Sequence, residues 1–390
     1  MEDLTNQYSY ILPYIKTAHN YVPPLFEKNV CGLYMNYSLY GPSPDCLKVL
    51  QNLDKKNFLE YPYGGNARIN KALADHLKLA EEMVLADHGA ANVLNQIFRV
   101  VLGKGDKALI PHPGWDYYKS AASLLGANWN QYRVFEKDDR YAYCSREILE
   151  KLEETRAKLL IITSPNMPTG NMISQDQLEQ IAENAGDVLL VIDEAYYGYA
   201  DNYNLDVRYL LEKYSNIIFV RTLSKLFGLA SERIGFAFSN AELISIIRKT
   251  APLFGISYTS QIIAEAALND HEFYRVVSRK TAASREKLSC ELERLGSYQV
   301  YKSEANFILV RLTRHTAEDL VKYFFNNGFV IRECSRGYDL KSHIRISIGT
   351  EEINEKVISL FREYEKITDC SNLNTAGKGM VADDTGDFNF

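Results

Sequence analysis

The amino-acid sequence predicts an α/β protein: a large domain with a mainly parallel sheet covered by helices, plus a smaller α+β domain. Three observations carry that expectation. Short uninterrupted apolar runs recur, each ending in a turn and followed by an amphipathic stretch; strands that are apolar on both faces belong to parallel sheets with helices on each side. Near residue 270 the texture changes to a charged helical stretch and then to alternating strands. The length, 390 residues, exceeds the usual single-domain size, so one large or two modest domains are expected.

Residues 1–35 read as an N-terminal arm attached to the small domain. From 36 to 250 the repeating unit builds the large domain. "EMVLADHG" (82–89) precedes "AANVLNQIFRVVL", "KALIPHPGW" (107–115) precedes "DYYKSAASLL", and "KLLIITSPN" (158–166) leads through a turn to "SQDQLEQIAENA". "DVLLVIDEAYYGY" (187–199), "NIIFVRTLSK" (216–225) and "RIGFAFSN" (233–240) continue the series. Residues 251–366 read as the small domain, with "SRKTAASREKLSCELERL" as a long charged helix. "ANFILVRL", "FVIRECS" and "HIRISIGT" follow as alternating strands, and "EEINEKVISLFREYEKI" as a last helix. Residues 367–390, poor in aliphatic side chains and rich in Asn, Asp and Gly, are expected to be disordered.

Composition narrows the function. A net charge of −6 gives no support to a nucleic-acid or anionic-membrane partner. The six cysteines are scattered with no CxxC pair, which argues against a zinc site and a disulfide framework. No apolar run approaches the ~20 residues of a membrane span, and "MEDLTNQYSY" has no secretory signal pattern. A cytoplasmic setting is expected, with no metal.

In open parallel sheets, ligands bind beyond the carboxyl ends of the strands. Those ends carry Gly89-Ala90-Ala91, Trp115, Asn166 and Met167, Asp193 and Tyr196, Ser224 and Lys225, with Arg233 shortly after. Taken alone, Asp193 reads as a helix cap or turn residue and Lys225 as a solvated lysine. Taken together, they suggest one site that needs a carboxylate and an amine. A lysine that forms a Schiff base to an aldehyde cofactor, with an aspartate holding a protonated pyridine nitrogen, is one use of that pair.

"YGPSP", "PTG", "DEAY", "TLSKLFGLA" followed by Arg233, and "IRISIGT" occur in that order between about Asn36 and Arg362. In that order and spacing the chain resembles a fold-type I, pyridoxal-phosphate-dependent aminotransferase of class I/II, most like the histidinol-phosphate aminotransferase group. The resemblance implies pyridoxal 5′-phosphate as cofactor and an amino acid and a 2-oxo acid as substrates. Lys225 would form the imine and then shuttle a proton. Asp193 would hold the pyridinium nitrogen, and Tyr196 would donate to the ring's 3′-oxygen. Trp115 would stack on the ring. Gly89, Ala90 and Ala91 would open a helix under the phosphate, a place where backbone N–H groups and the helix dipole favour an anion. Ser224, Arg233 and Thr222 would complete the phosphate cup. Tyr61 would reach the phosphate of a neighbouring subunit, which implies a homodimer with shared sites. Arg345 would grip the substrate carboxylate, Arg332 a second anionic group, and Tyr14 would line the entrance; the alternatives for Tyr61, Arg332 and Trp115 are a surface turn, a surface strand and core packing.

Two departures stand out. Most relatives read Asn-Asn-Pro-Thr-Gly where this chain has Asn166-Met167-Pro168-Thr169-Gly170, so a donor to the ring oxygen is replaced by a thioether. The loss should raise the pKa of the imine by about one to two units at most. Leu39 stands in the early "NYSLYGP" segment where a glutamate is common, which points away from the usual histidinol-phosphate substrate. Transamination is the leading expectation. Decarboxylation, elimination or oxidation on the same cofactor is the alternative that Met167 keeps open, and a non-catalytic regulator is the third reading.

Overall fold

The structure, a computed structural model, describes residues 10–16, 30–200, 203 and 205–375. Most of the N-terminal arm and residues 376–390 of the tail lie outside the described residues. The large sheet is built from β1 (Val84–His88), β2 (Lys107–His112), β3 (Asn128–Arg133), β4 (Leu159–Thr163), β5 (Leu189–Asp193), β6 (Ile217–Thr222) and β7 (Ile234–Phe238). Their order is β1-β7-β6-β5-β4-β2-β3. All neighbours pair in parallel except β7, which runs antiparallel to both β1 and β6. Side chains alternate between the faces of a strand. Leu160, Ile162, Leu190 and Ile192 therefore enter one core layer, while Leu159, Ile161 and Val191 enter the other.

The helices that matter for the site are α1 (Ala67–Leu77), α2 (Gly89–Val101), α3 (Tyr117–Ser123) and α4 (Gln175–Asn184). Helix α4 starts at Ser174, whose hydroxyl accepts from the Gln177 N–H in a reciprocal capping box. Helix α5 (Tyr258–Asn269) packs on α1, and Ile256, Ile263, Ala264, Leu268, Tyr274 and Val277 all enter the large core. The segment that follows residue 251 therefore contributes side chains to the large core. It is apolar on several faces and is buried in the large core, and the chain leaves that core along α6 (His271–Arg294).

The small sheet contains β8 (Tyr298–Tyr301), β9 (Phe307–Leu312), β10 (Arg332–Glu333) and β11 (His343–Ser347), ordered β8-β9-β11-β10 and antiparallel throughout. Helices α6, α7 (Ala317–Asn326) and α8 (Glu351–Thr375) close its core around Leu292, Val310, Phe324, Ile346 and Phe361. Cys31–Gly32 pairs in parallel with Phe329–Val330, which fastens the segment that opens the long described stretch from residue 30 to this unit. Helix α8 runs to Thr375. Between the sheets, a hairpin of Phe135–Lys137 and Arg140–Ala142 acts as a strap: Lys302 N–H donates to Asp139 O at 2.8 Å, and the Tyr301 hydroxyl to Glu136 Oε1 at 2.6 Å. Among the described residues no helix is long and apolar enough to cross a membrane.

Candidate functional site

The carboxyl ends of β1, β4, β5 and β6 converge where the two sheets face each other. At the end of β1 the backbone turns at Gly89, φ +74°, directly into α2. A Cβ on Gly89 would collide with the Arg233 guanidinium, and one on Gly235 would collide with the backbone of Gly89 and Ala90. Glycine is needed at both positions, the first also because a positive φ strains other residues. The result is a cradle: Gly89, Ala90 and Ala91 form the first turn of α2 with N–H groups that have no intrahelical partner, and Arg233 lies across it. The Ser224 hydroxyl accepts from Arg233 Nη1 at 3.4 Å, and Thr222 Oγ1 accepts from Ser224 N–H at 3.1 Å. Thr222 also donates to Ile234 O at 2.9 Å, which ties β6 to β7 at the cradle's edge. The arrangement is suited to a phosphate-sized anion.

Asp193 ends β5 and is buried. Its Oδ2 accepts from the Tyr118 hydroxyl at 2.7 Å and its Oδ1 from Ala195 N–H at 3.0 Å. Burial pushes the carboxyl up to about 6, against the lowering effect of those two donors. A carboxylate so placed is stabilised by a cation arriving beside it. The next residue, Glu194, faces away and is held by Arg221 Nε at 2.8 Å and the Tyr203 hydroxyl at 2.6 Å. That buried ion pair fixes the strand end from behind. Trp115 stacks on Tyr117 at 4.7 Å and meets the edge of Tyr118 at 5.5 Å, so it stands beside the Asp193 pocket.

Lys225 follows β6 and donates from Nζ to Met35 O at 2.9 Å. Its amine also lies 5.6 Å from the Tyr196 ring centroid and 5.9 Å from that of Tyr37. Burial, then the nearby Arg345 and Arg233 charges, lower it to about 7, with Asp193 pulling the other way. An amine in that range is available both as a nucleophile and as a proton carrier.

Met167 is in this site. Tyr196 donates its hydroxyl to Met167 Sδ at 3.0 Å and accepts from Asn36 Nδ2 at 2.9 Å. Asn166 turns away: its Nδ2 donates to Pro113 O at 3.0 Å and Thr169 Oγ1 at 2.7 Å, inside the turn. Arg345, on β11, is buried, donates to the Tyr338 hydroxyl at 3.1 Å and to Tyr34 O, and leaves Nε without a partner among the described residues. An unpartnered buried guanidinium nitrogen is costly and wants an anion. Arg332 is in direct register with Arg345 across β10 and β11, so the two arginines start from the same face of the sheet.

Two expected site residues, Leu39 and Tyr14, are placed elsewhere in the chain, while Tyr61, expected to serve a neighbouring subunit's phosphate, lies on the surface of its own. Leu39 packs on Gly349 and Ile353 of the small domain; the left-handed Asn36, φ +57°, turns the chain so that Tyr37, not Leu39, approaches Lys225. Tyr14 lies against Gly126, at the amino end of β3 and thus at the far end of the sheet. Tyr61 is 72% exposed and stacks on Phe254 at 3.9 Å. Conversely, Tyr118, Asn36, Tyr37 and Tyr338 are site neighbours that the sequence reading did not single out. Tyr118, one helical turn after Trp115, was the most accessible of them to such a reading.

The family model for "Aminotransferase class I and II" matches residues 28–361. The chain is 32% identical over 363 residues to the histidinol-phosphate aminotransferase of Methanocaldococcus jannaschii, covering 90% of this chain and 96% of that one. It is 33% identical over 354 residues to histidinol-phosphate aminotransferase 2 of Archaeoglobus fulgidus, covering 90% and 98%. Among solved structures, the histidinol-phosphate aminotransferase of Sinorhizobium meliloti in complex with pyridoxal-5′-phosphate matches with a TM-score of 0.83 at 23% identity, covering 93% and 100%. The L-threonine-O-3-phosphate decarboxylase of Porphyromonas gingivalis has the same fold, with a TM-score of 0.75 at 19% identity and coverage of 86% and 100%.

Proposed function

Because the chain belongs to the class I and II aminotransferase family, we propose that it moves an amino group between an L-amino acid, or an amino-acid-like amine, and a 2-oxo acid, with Lys225, Asp193 and Tyr196 as its catalytic groups. The observation that carries this reading is the convergence at the strand ends of a buried carboxylate, an amine and an anion cradle. They fit pyridoxal 5′-phosphate, which when bound supplies an aldehyde and a ring that accepts the electrons of a broken Cα bond. Asp193 would meet the pyridinium nitrogen, the α2 turn with Ser224, Thr222 and Arg233 the phosphate, and Trp115 the ring face.

Lys225 holds or releases one proton at Nζ near neutral pH, which suits a general acid/base at the substrate Cα. Tyr196 presents a hydroxyl beside the ring position. Arg345, with Nε unpartnered, binds and orients a substrate carboxylate, and Arg332 is placed for a second anionic group. The site is completed by a second subunit in this reading. Tyr61, Tyr63 and Leu253 are 72%, 99% and 87% exposed, large side chains that a homodimer interface would cover.

A second reading keeps the fold and changes the bond broken. Met167 offers no N–H at a position beside Tyr196, and the electronic state of the ring influences which Cα bond breaks. The two readings separate in one experiment. The holoenzyme is incubated with a panel of L-amino acids, with and without a 2-oxo acid. Amino transfer that requires the oxo acid supports the first; release of CO2, ammonia or peroxide without it supports the second.

A further inference from the structure

Tyr196 is the hydroxyl donor left beside Met167, so what directs its single proton matters. Asn36 Nδ2 donates to that hydroxyl at 2.9 Å and lies 3.7 Å from Met167 Sδ. A phenol that accepts on one side must point its proton to the other, and here that side holds a thioether, a weak acceptor. The proton is thus directed but loosely held, available to any stronger acceptor that enters.

Asn36 is itself fixed from several directions. It is buried, its N–H donates to Ser347 Oγ at 3.0 Å, its Oδ1 lies 2.9 Å from the same hydroxyl, and its carbonyl accepts from Asn306 Nδ2 at 3.0 Å. Its left-handed backbone, φ +57°, is one that asparagine tolerates better than most residues. Ser347 lies two positions after Arg345 on β11, so the amide is anchored to the strand that carries the carboxylate-binding arginine. A side chain held this firmly is suited to setting the direction of a neighbouring dipole.

We propose that Asn36 is the positioning residue for Tyr196: it fixes the hydroxyl as a donor toward the cofactor's ring oxygen and so offsets the donor missing at Met167. The inference rests on the reading of the site as a pyridoxal-phosphate site. The charged and titratable groups around the Tyr196 hydroxyl are Arg345, Tyr338 and Asp193, with Lys225 above the ring. None of them is hydrogen-bonded to that hydroxyl, whereas Asn36 is.

The test is the pH midpoint of the bound cofactor's visible absorption, read in four holoproteins: wild type, Asn36→Gly, Tyr196→Phe and the double variant. Glycine keeps the left-handed backbone without strain. Asn36→Gly is expected to raise the midpoint by about one pH unit, because the ring oxygen loses an oriented donor. In the Tyr196→Phe background the same change is expected to have little effect. Asn36→Asp, which preserves the side chain's shape, serves where the glycine variant folds poorly; its carboxylate draws the Tyr196 proton away, so its shift is expected to be larger with Tyr196 present than in the Tyr196→Phe background. An unchanged midpoint in the single variants, or equal shifts in both backgrounds, would overturn the role of Asn36. No visible band in wild type would instead remove the cofactor reading beneath it.

Discussion

Asp193 and Lys225 are moved from their ordinary titration ranges by the same cause, burial, and in opposite senses. The carboxyl rises to about 6 and the amine falls to about 7. Each is a cost that the cofactor-free fold bears in order to be ready for a charged ring. For Asp193 the folded pKa lies above the unfolded value, so its contribution to stability is present below about pH 4 and is lost as the pH rises through about 6. Asp193→Asn in the cofactor-free protein is therefore expected to melt above wild type near neutral pH, with the advantage shrinking toward about pH 4. The same variant is expected to bind pyridoxal phosphate more weakly. Melting scans across pH check it, and an Asn variant less stable than wild type at neutral pH would contradict the burial argument. Lys225, Asp193, Tyr196 and Arg233 can be picked out of the sequence because they stand in short motifs next to strands. The directions of Tyr37 and Leu39 cannot, since a left-handed residue at Asn36 breaks the simple alternation by which side-chain direction is read from sequence.

The phosphate cradle belongs to the junction of a strand with a helix rather than to any one side chain. Strand β7 passes so close to the first turn of α2 that Gly235 leaves no room for a methyl group. Gly235→Ala is expected to cost roughly 1–3 kcal/mol of stability, the usual range for overpacking, and to weaken phosphate-aldehyde binding by displacing the α2 turn. Urea unfolding and an absorbance titration measure the two effects. A variant that lost stability but bound normally would detach the cradle from β7. The buried strands were readable as continuous apolar runs, for example "LLIIT" and "LLVID". Strand β3, "NWNQYR", escaped that criterion because it is an edge strand and much of it is not buried. For the helix Tyr258–Asn269, periodicity marks a helix but not the core that receives it.

At the scale of the whole molecule, Tyr61 lies exposed on the surface of its own chain, stacked on Phe254. If a second subunit supplies that residue, a chain lacking Lys225 and a chain lacking Tyr61 can complement each other. Mixing Lys225→Ala with Tyr61→Ala protein after dissociation and reassembly is expected to give more activity than the sum of the separate samples. Activity that stays at the sum would place Tyr61 outside the site. The sequence could suggest this only through resemblance, because nothing local to "EYPYGG" distinguishes a partner contact from a surface turn. All of these expectations depend on covalent chemistry at one amine. Borohydride reduction of the protein reconstituted with pyridoxal phosphate, followed by peptide mass spectrometry, tests it directly. The expected result is a phosphopyridoxyl mass on the peptide containing Lys225 and on no other at comparable yield; an absent tag, or one on a different lysine, would contradict the account.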